Sequence, residues 1–157
     1  MGEVVRKLRA MPEAQYEDLL SGFLEEQPYL GGFLLNLDGD FSEPEMDRLY
    51  ETALALNLGF KTSGLSMGMV LDGHLEGIIQ EITPRYEALG ETAIDFNAVI
   101  AASDSPKSLQ DLFAIMEAGL IETAEIQKLN RLMVVEVMVK AFEEGVESPN
   151  ETQHGEA

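Results

Sequence analysis

The chain has 157 residues, with 29 acidic against 10 basic side chains and a formal net charge of −19. That balance excludes DNA, RNA and anionic lipid surfaces as partners, because each needs a basic footprint, and directs the chain toward cations and basic protein surfaces. Cysteine is absent, so disulfides, thiolate zinc sites and thiol nucleophiles are excluded, in keeping with a reducing cytoplasm, and no apolar run approaches the roughly 20 residues that span a bilayer.

Arg6, Lys7 and Arg9, with Glu3, make residues 1–11 a basic arm or short helix on an acidic body. The arm is expected to dock on its own domain or on a neighbouring subunit. No apolar core follows these basic positions, so a secretory signal is not expected. Met1-Gly2 opens like a myristoylation site, but Arg6 stands where Ser or Thr is required. From Pro12, which suits a first helical turn, Tyr16, Leu19, Leu20, Phe23 and Leu24 follow the stripe of a core-facing helix. Pro28 restarts the chain, and Tyr29, Leu30, Phe33, Leu34 and Leu37 form the next apolar face. Ser42 and Glu45 spell a capping box. The helix they open points Met46, Leu49, Tyr50, Ala53 and Leu54 inward and is predicted to stop at Gly59.

Residues 61–66 read as a loop. The next helix carries Leu71, Leu75, Ile78, Ile79 and Ile82 on one face. Gly68, Gly73 and Gly77 interrupt that pattern, each at a cost of about 1 kcal/mol relative to Ala, which predicts a close helix approach there. Leu65, Met67 and Met69 are expected to fill core gaps, the commoner use of such residues beside adaptable binding surfaces. Thr83-Pro84 predicts a restart and a short turn to Leu89. Residues 92–103 alternate like a strand, but a lone strand would lack a partner, so helix is favoured. Ser105-Pro106 starts a helix with Leu109, Leu112, Phe113 and Met116 inward. A last helix over about 123–144 is apolar almost all round at LMVVEVMV, the mark of a central, buried element. The fold class is therefore all-α, a compact bundle of about six or seven helices in one domain over 1–146. A polar tail over 147–157 is expected to be disordered.

The stretch NLDGDFSEPE (36–45) resembles a calcium loop. With Gly39 at the sixth position of the twelve-residue template, Asn36, Asp38, Phe41 and Glu45 fall where the template wants them. The first ligand position, however, is Leu34, so the coordination set falls short. A helix corner accounts for the same residues. Gly39 supplies the left-handed turn, Phe41 covers it, and Ser42 and Glu45 cap the next helix. The corner has an echo: FLLNLDGDFSEPEMDRL (33–49) aligns with FAIMEAGLIETAEIQKL (113–129), matching Phe33 with Phe113, Gly39 with Gly119, Glu45 with Glu125 and Leu49 with Leu129. Two related helix–corner–helix units are one reading, convergence on one kind of corner the other. The second copy has Ala118 and Leu120 in place of Asp38 and Asp40. The candidate metal ligands are thus Asp38, Asp40 and Glu45, for a divalent cation.

Residues 31–60, GGFLLNLDGDFSEPEMDRLYETALALNLGF, resemble the TerB-like family, named for a tellurite-resistance protein. The matching pieces are Asp38-Gly39, Phe41, Glu45 and Leu58-Gly59-Phe60. The family's usual alanines before the Asp-Gly are replaced by Leu35, Asn36 and Leu37. The resemblance implies a compact all-helical domain with a repeated motif, association with stress responses and multi-protein assemblies, and in some members a metal-binding acidic surface. It speaks to fold more than to activity.

Other chemistry is sparse. The chain has two histidines, His74 and His154. His74 has Leu71 three residues before it, so the paired Glu-x-x-His motifs of a diiron bundle cannot be assembled. Asp72 and Glu76 share a helix face with each other rather than with His74. No Walker loop, nucleophile elbow or dinucleotide fingerprint occurs, and no cofactor is expected beyond the candidate cation. The function expected is a non-enzymatic, acidic interaction module of the cytoplasm that meets a protein partner or a second copy of itself. The alternative is a divalent-cation-binding regulator built on the corner at 36–45.

Overall fold

Proline and cap signals set most helix starts, and the buried stripes between them set how the helices pack. The computed structural model describes residues 2–64, 66–89, 94–120 and 124–147. Among these are eight helices: α1 (Gly2–Ala10), α2 (Glu13–Glu26), α3 (Pro28–Leu35), α4 (Glu43–Thr62), α5 (Asp72–Glu87), α6 (Phe96–Ala101), α7 (Pro106–Glu117) and α8 (Glu125–Gly145). The all-α class is as predicted. The helix beyond the expected seven is α1, the basic segment.

α8 is the centre of the bundle, with α4, α5 and α7 packed around it. It buries Leu132, Val135, Met138 and Phe142 on successive turns, as its all-round apolar sequence requires. Phe142 stacks on Phe23 of α2 at 6.4 Å and on Phe60 of α4 at 5.9 Å. Burying each such ring contributes about 1.5–3 kcal/mol. α2 also packs on α3 and α4, and α6 on α7. The basic segment docks on its own chain: α1 lies on α4, with Val5 and Leu8 buried. Arg9 clamps Glu51 there, its Nη2 donating at 2.9 Å and its Nε at 3.1 Å.

Several local expectations are corrected. α4 passes Gly59 and continues to Thr62, because Leu58 and Phe60 still pack on the core. The stop comes at Gly64, with φ of 78°. Residues 61–66 are thus not all loop, and Ser66–Met67 pairs antiparallel with Val146–Glu147, Ser66 opposite Glu147. Pro84 does not restart the chain. It lies inside α5, and the missing N–H is tolerated because Ile82 and Tyr86, on either side of it, are buried and α5 packs along α8. A Cβ built at Gly73 or Gly77 would meet nothing within 4 Å, so these glycines mark open surface, not a close helix approach. Gly68 precedes α5 and donates its N–H to the Gly145 carbonyl at 2.9 Å. Met69 is 50% exposed and fills no core gap. Within 92–103, helix is found at Phe96–Ala101, capped by the Asp95 carboxylate, which accepts from the Ala98 N–H. Glu147, the first residue of the expected tail, is paired with Ser66 rather than disordered; positions 92 and 93, Leu65, the Met67 side chain and the rest of the tail from 148 lie outside the described residues.

Candidate functional site

The corner between α3 and α4 is built as a turn. Gly39 has φ of 101°, a conformation that costs other residues about 1–2 kcal/mol. Both capping-box bonds form: the Ser42 N–H donates to Glu45 Oε1 at 2.9 Å, and the Glu45 N–H donates to Ser42 Oγ at 3.3 Å. Phe41 is buried over the turn. Asp38 and Asp40 are exposed.

Glu45 points the other way. Its carboxylate is buried and accepts from Arg131 Nη1 at 2.6 Å and from Gln127 Nε2 at 3.2 Å, both on α8. Arg131 is 2% exposed and also grips Glu117 of α7 through Nε at 2.6 Å and Nη2 at 2.7 Å. One guanidinium thus joins two carboxylates from two helices. Burial alone would raise the Glu45 pKa, but the Ser42 N–H, Arg131 and Gln127 together outweigh it and hold the carboxyl below its ordinary value. Gln127 Nε2 also donates to the Asp40 carbonyl at 3.1 Å, so the packing uses the backbone of Asp40.

The three predicted metal ligands are therefore divided: Asp38 and Asp40 face out, and Glu45 faces in and is saturated. Among the described residues, no group of three or more His, Asp or Glu side chains stands where it could hold a metal ion. The echo keeps the turn, with Gly119 at φ of 84°. Its Glu125 is exposed, so the buried role of Glu45 is not repeated.

A second buried ionic cluster lies across α5 and α8. Glu136 pairs with Arg85 and accepts from the Tyr86 hydroxyl at 2.6 Å. Burial, then Glu136, pushes the Tyr86 pKa far above the ordinary tyrosine value, with Arg85 opposing. His74 bonds Glu144 of α8 at 2.9 Å on the surface.

No family model, curated protein or solved structure matches this chain.

A cleft of about 330 Å³ opens between α3 and α5. Gln27 ties the two helices together at their N-terminal ends: its Nε2 donates to the Gly68 carbonyl at 2.9 Å, and its Oε1 accepts from the Val70 N–H at 2.8 Å. Tyr29, Gly32 and Phe33 line one side, and Asp72, Glu76 and Ile79 the other. The shared face read for Asp72 and Glu76 is thus the wall of this cleft. Sequence reasoning missed both buried clusters and the cleft. The signal for the clusters was present: Glu136 interrupts the apolar run LMVVEVMV and Arg131 directly precedes it, and charges in such a buried stretch must find partners inside. The cleft had no comparable signal, because it depends on how α3 and α5 lie against each other.

Proposed function

We propose that this chain is a non-enzymatic, acidic helical interaction module, TerB-like in kind, that engages a basic protein partner in the cytoplasm. The observation that carries this reading is how the fold uses its cations. Arg9, Arg48, Lys61, Arg85, Arg131 and Lys140 are all held by carboxylates of the same chain. Lys128 sits over the rings of Phe96 and Phe113, at 4.6 Å and 5.9 Å. With these cations turned to internal use, the outward field of a −19 chain is negative, and such a field recruits and orients basic partners. The buried ionisable groups support a binding role. Glu45, Arg131, Glu136 and Tyr86 are bonded to one another or to neighbouring side chains. The link to a stress response rests on the resemblance at residues 31–60 alone. Among the described residues, no helix is long and apolar enough to cross a membrane.

The test is affinity capture on the immobilised chain at low and high ionic strength, beside an unrelated helical protein of matched charge. A partner set absent from the control and released by salt is expected, because surface attraction is screened over about 8–10 Å at physiological ionic strength. Retention of the same proteins by both columns would overturn the reading.

A further inference from the structure

The cleft between α3 and α5 differs from the rest of the surface in two ways. Exposed apolar side chains border it: of the six large ones among the described residues, Tyr29 lines the cleft, Leu35 lies on α3, and Met69 and Leu71 lie in the segment entering α5. The Gln27 bonds to Gly68 and Val70 hold that segment beside the start of α3, where Tyr29, 44% exposed, lines the cleft. The second difference is charge. Asp72 and Glu76 line the wall one turn apart, both exposed, and no basic side chain lines the cleft. The floor is apolar, with Leu75 buried and Phe33 and Ile79 partly so.

Gly32 gives the cleft its depth. A Cβ built there meets nothing within 4 Å, so its missing side chain leaves room for a visitor. The α3 wall from Pro28 to Asn36 is about 12 Å long at 1.5 Å per residue, the length of two helical turns.

From this geometry we infer that the cleft is a docking groove for a cationic amphipathic helix of another protein. Two turns of that helix would lay apolar side chains at i, i+3 or i+4, and i+7 along Phe33 and Ile79, with Lys or Arg beside Asp72 and Glu76. The inference rests on the interaction-module reading above and names its partner class. A second copy of this chain does not fit, because it carries the same −19 charge. Among the described residues its one basic helix, α1, already buries its apolar Val5 and Leu8 on α4.

The probe is a synthetic amphipathic helix of Leu and Lys, compared with the same composition scrambled and with a Leu/Glu version. Binding is read by fluorescence anisotropy and by backbone amide shifts of the full chain. The Leu/Lys helix is expected to bind, moving amides of α3 and α5, and the scrambled peptide is expected to bind about tenfold more weakly. Gly32→Leu fills the groove and has space to do so. It should weaken binding about tenfold or more while leaving the thermal midpoint unchanged or higher. Asp72→Asn with Glu76→Gln should weaken binding by a similar factor and flatten its salt dependence. Glu13→Gln with Glu17→Gln, the same change of charge on exposed positions of α2, should stay within about twofold. Binding that ignores Gly32→Leu, or follows total charge alone, would remove the groove and leave the acidic-module reading standing. Failure of the Leu/Lys helix to bind at all would remove the groove, while the acidic-module reading would still stand or fall by the salt-dependent capture above. A dimer in sedimentation that Gly32→Leu abolishes would also overturn the inference, since the groove would then belong to a second copy.

Discussion

Replacing Arg131 by Met removes the cation that joins α8 to Glu45 and Glu117 and keeps most of the side-chain volume. Arg131 is 2% exposed and donates to Glu45 at 2.6 Å and to Glu117 at 2.6 and 2.7 Å. Glu117 is partly exposed and can turn to water. Glu45 cannot: it stays buried, keeping only the Ser42 N–H and Gln127. Stranding one buried charge costs about 3–5 kcal/mol, a large share of the roughly 5–15 kcal/mol that holds a domain folded. The assay is urea denaturation followed by helical circular dichroism. At pH 7 the variant should lose about 3–5 kcal/mol, and in a Glu45→Gln background the same substitution should cost about 1–3 kcal/mol less, since no carboxylate is left unpaired. The pH dependence has a definite sign. The Glu45 pKa is held below its ordinary 4.5 in the folded wild type. Its stabilising contribution is therefore present above that value and is lost as pH falls through the lower folded value. Without Arg131, burial prevails and Glu45 takes a proton at higher pH, so the gap between variant and wild type should narrow as the solution is acidified. A loss below about 1 kcal/mol at pH 7, or an equal loss in the Glu45→Gln background, would refute the account of a buried, coupled pair.

Tyr86→Phe removes a hydroxyl that donates to buried Glu136 at 2.6 Å, and a calorimetric loss of about 1.5–3 kcal/mol is expected, the range for a bond to a charged acceptor. In an alkaline titration by near-ultraviolet absorbance, Tyr16 should ionise near pH 12, pushed up by burial and then by Glu51 and Asp47. Its contribution to stability is complete below the ordinary tyrosine value of 10.0 and disappears as pH rises through about 12. Gly39→Ala and Gly119→Ala should each cost about 1–2 kcal/mol for the left-handed backbone. The second should cost more, because its Cβ would come within 3.0 Å of the Arg48 guanidinium. Equal midpoints for the two variants would argue against that contact. Millimolar calcium should leave the thermal midpoint unchanged, because Glu45 is committed to Arg131. A rise that Asp38→Ala abolishes would establish an ion at the corner, since a ligand that binds only the folded state raises stability.

Elements whose causes are local were legible in the sequence. The capping box at Ser42 and Glu45, the proline starts of α3 and α7 and the turn at Gly39 each depend on a few neighbouring residues, and each is found as read. Errors arose where distant packing overrode a local signal. Pro84 should break a helix by its missing N–H, but Ile82 and Tyr86 are buried across that point in α5. Gly59 should end one, yet Phe60 stacks on Phe142 and carries α4 onward. The candidate site divides in the same way. Asp38, Asp40 and Glu45 could be picked out as acids, but the inward turn of Glu45 is fixed by Gln127 and Arg131 of α8, some eighty residues later in the chain, and no local pattern encodes it.

The relation between the two corners rests on the same long-range packing. Gln127, at the start of α8, reaches across to the Asp40 carbonyl. Arg48, near the start of α4, lies against Gly119. Each unit's second helix thus braces the other unit's turn. That reciprocity accounts for a glycine at both turns while the acids around them differ. A side chain at either position would strain a turn that the opposite helix leans on, whereas the side chains of Asp38 and Asp40 face solvent and take no part in the brace. It also separates Glu45 from its counterpart. Glu45 caps α4 and anchors Arg131 at once, whereas Glu125 stands exposed on the first turn of α8. The carboxylate at 45 is at once a helix cap and half of a buried pair, and the one at 125 is not buried. The stability of the bundle is therefore expected to be far more sensitive at position 45 than at position 125. Glu125→Ala should change the denaturation midpoint little, as exposed substitutions do, by about 0.5 kcal/mol or less. Glu45→Ala takes the Glu45 carboxylate away from Arg131, though Glu117 still holds the guanidinium, and should cost several times more. Equal losses at the two positions would mean that the corners are equivalent and that the Arg131 pair contributes nothing particular to the first.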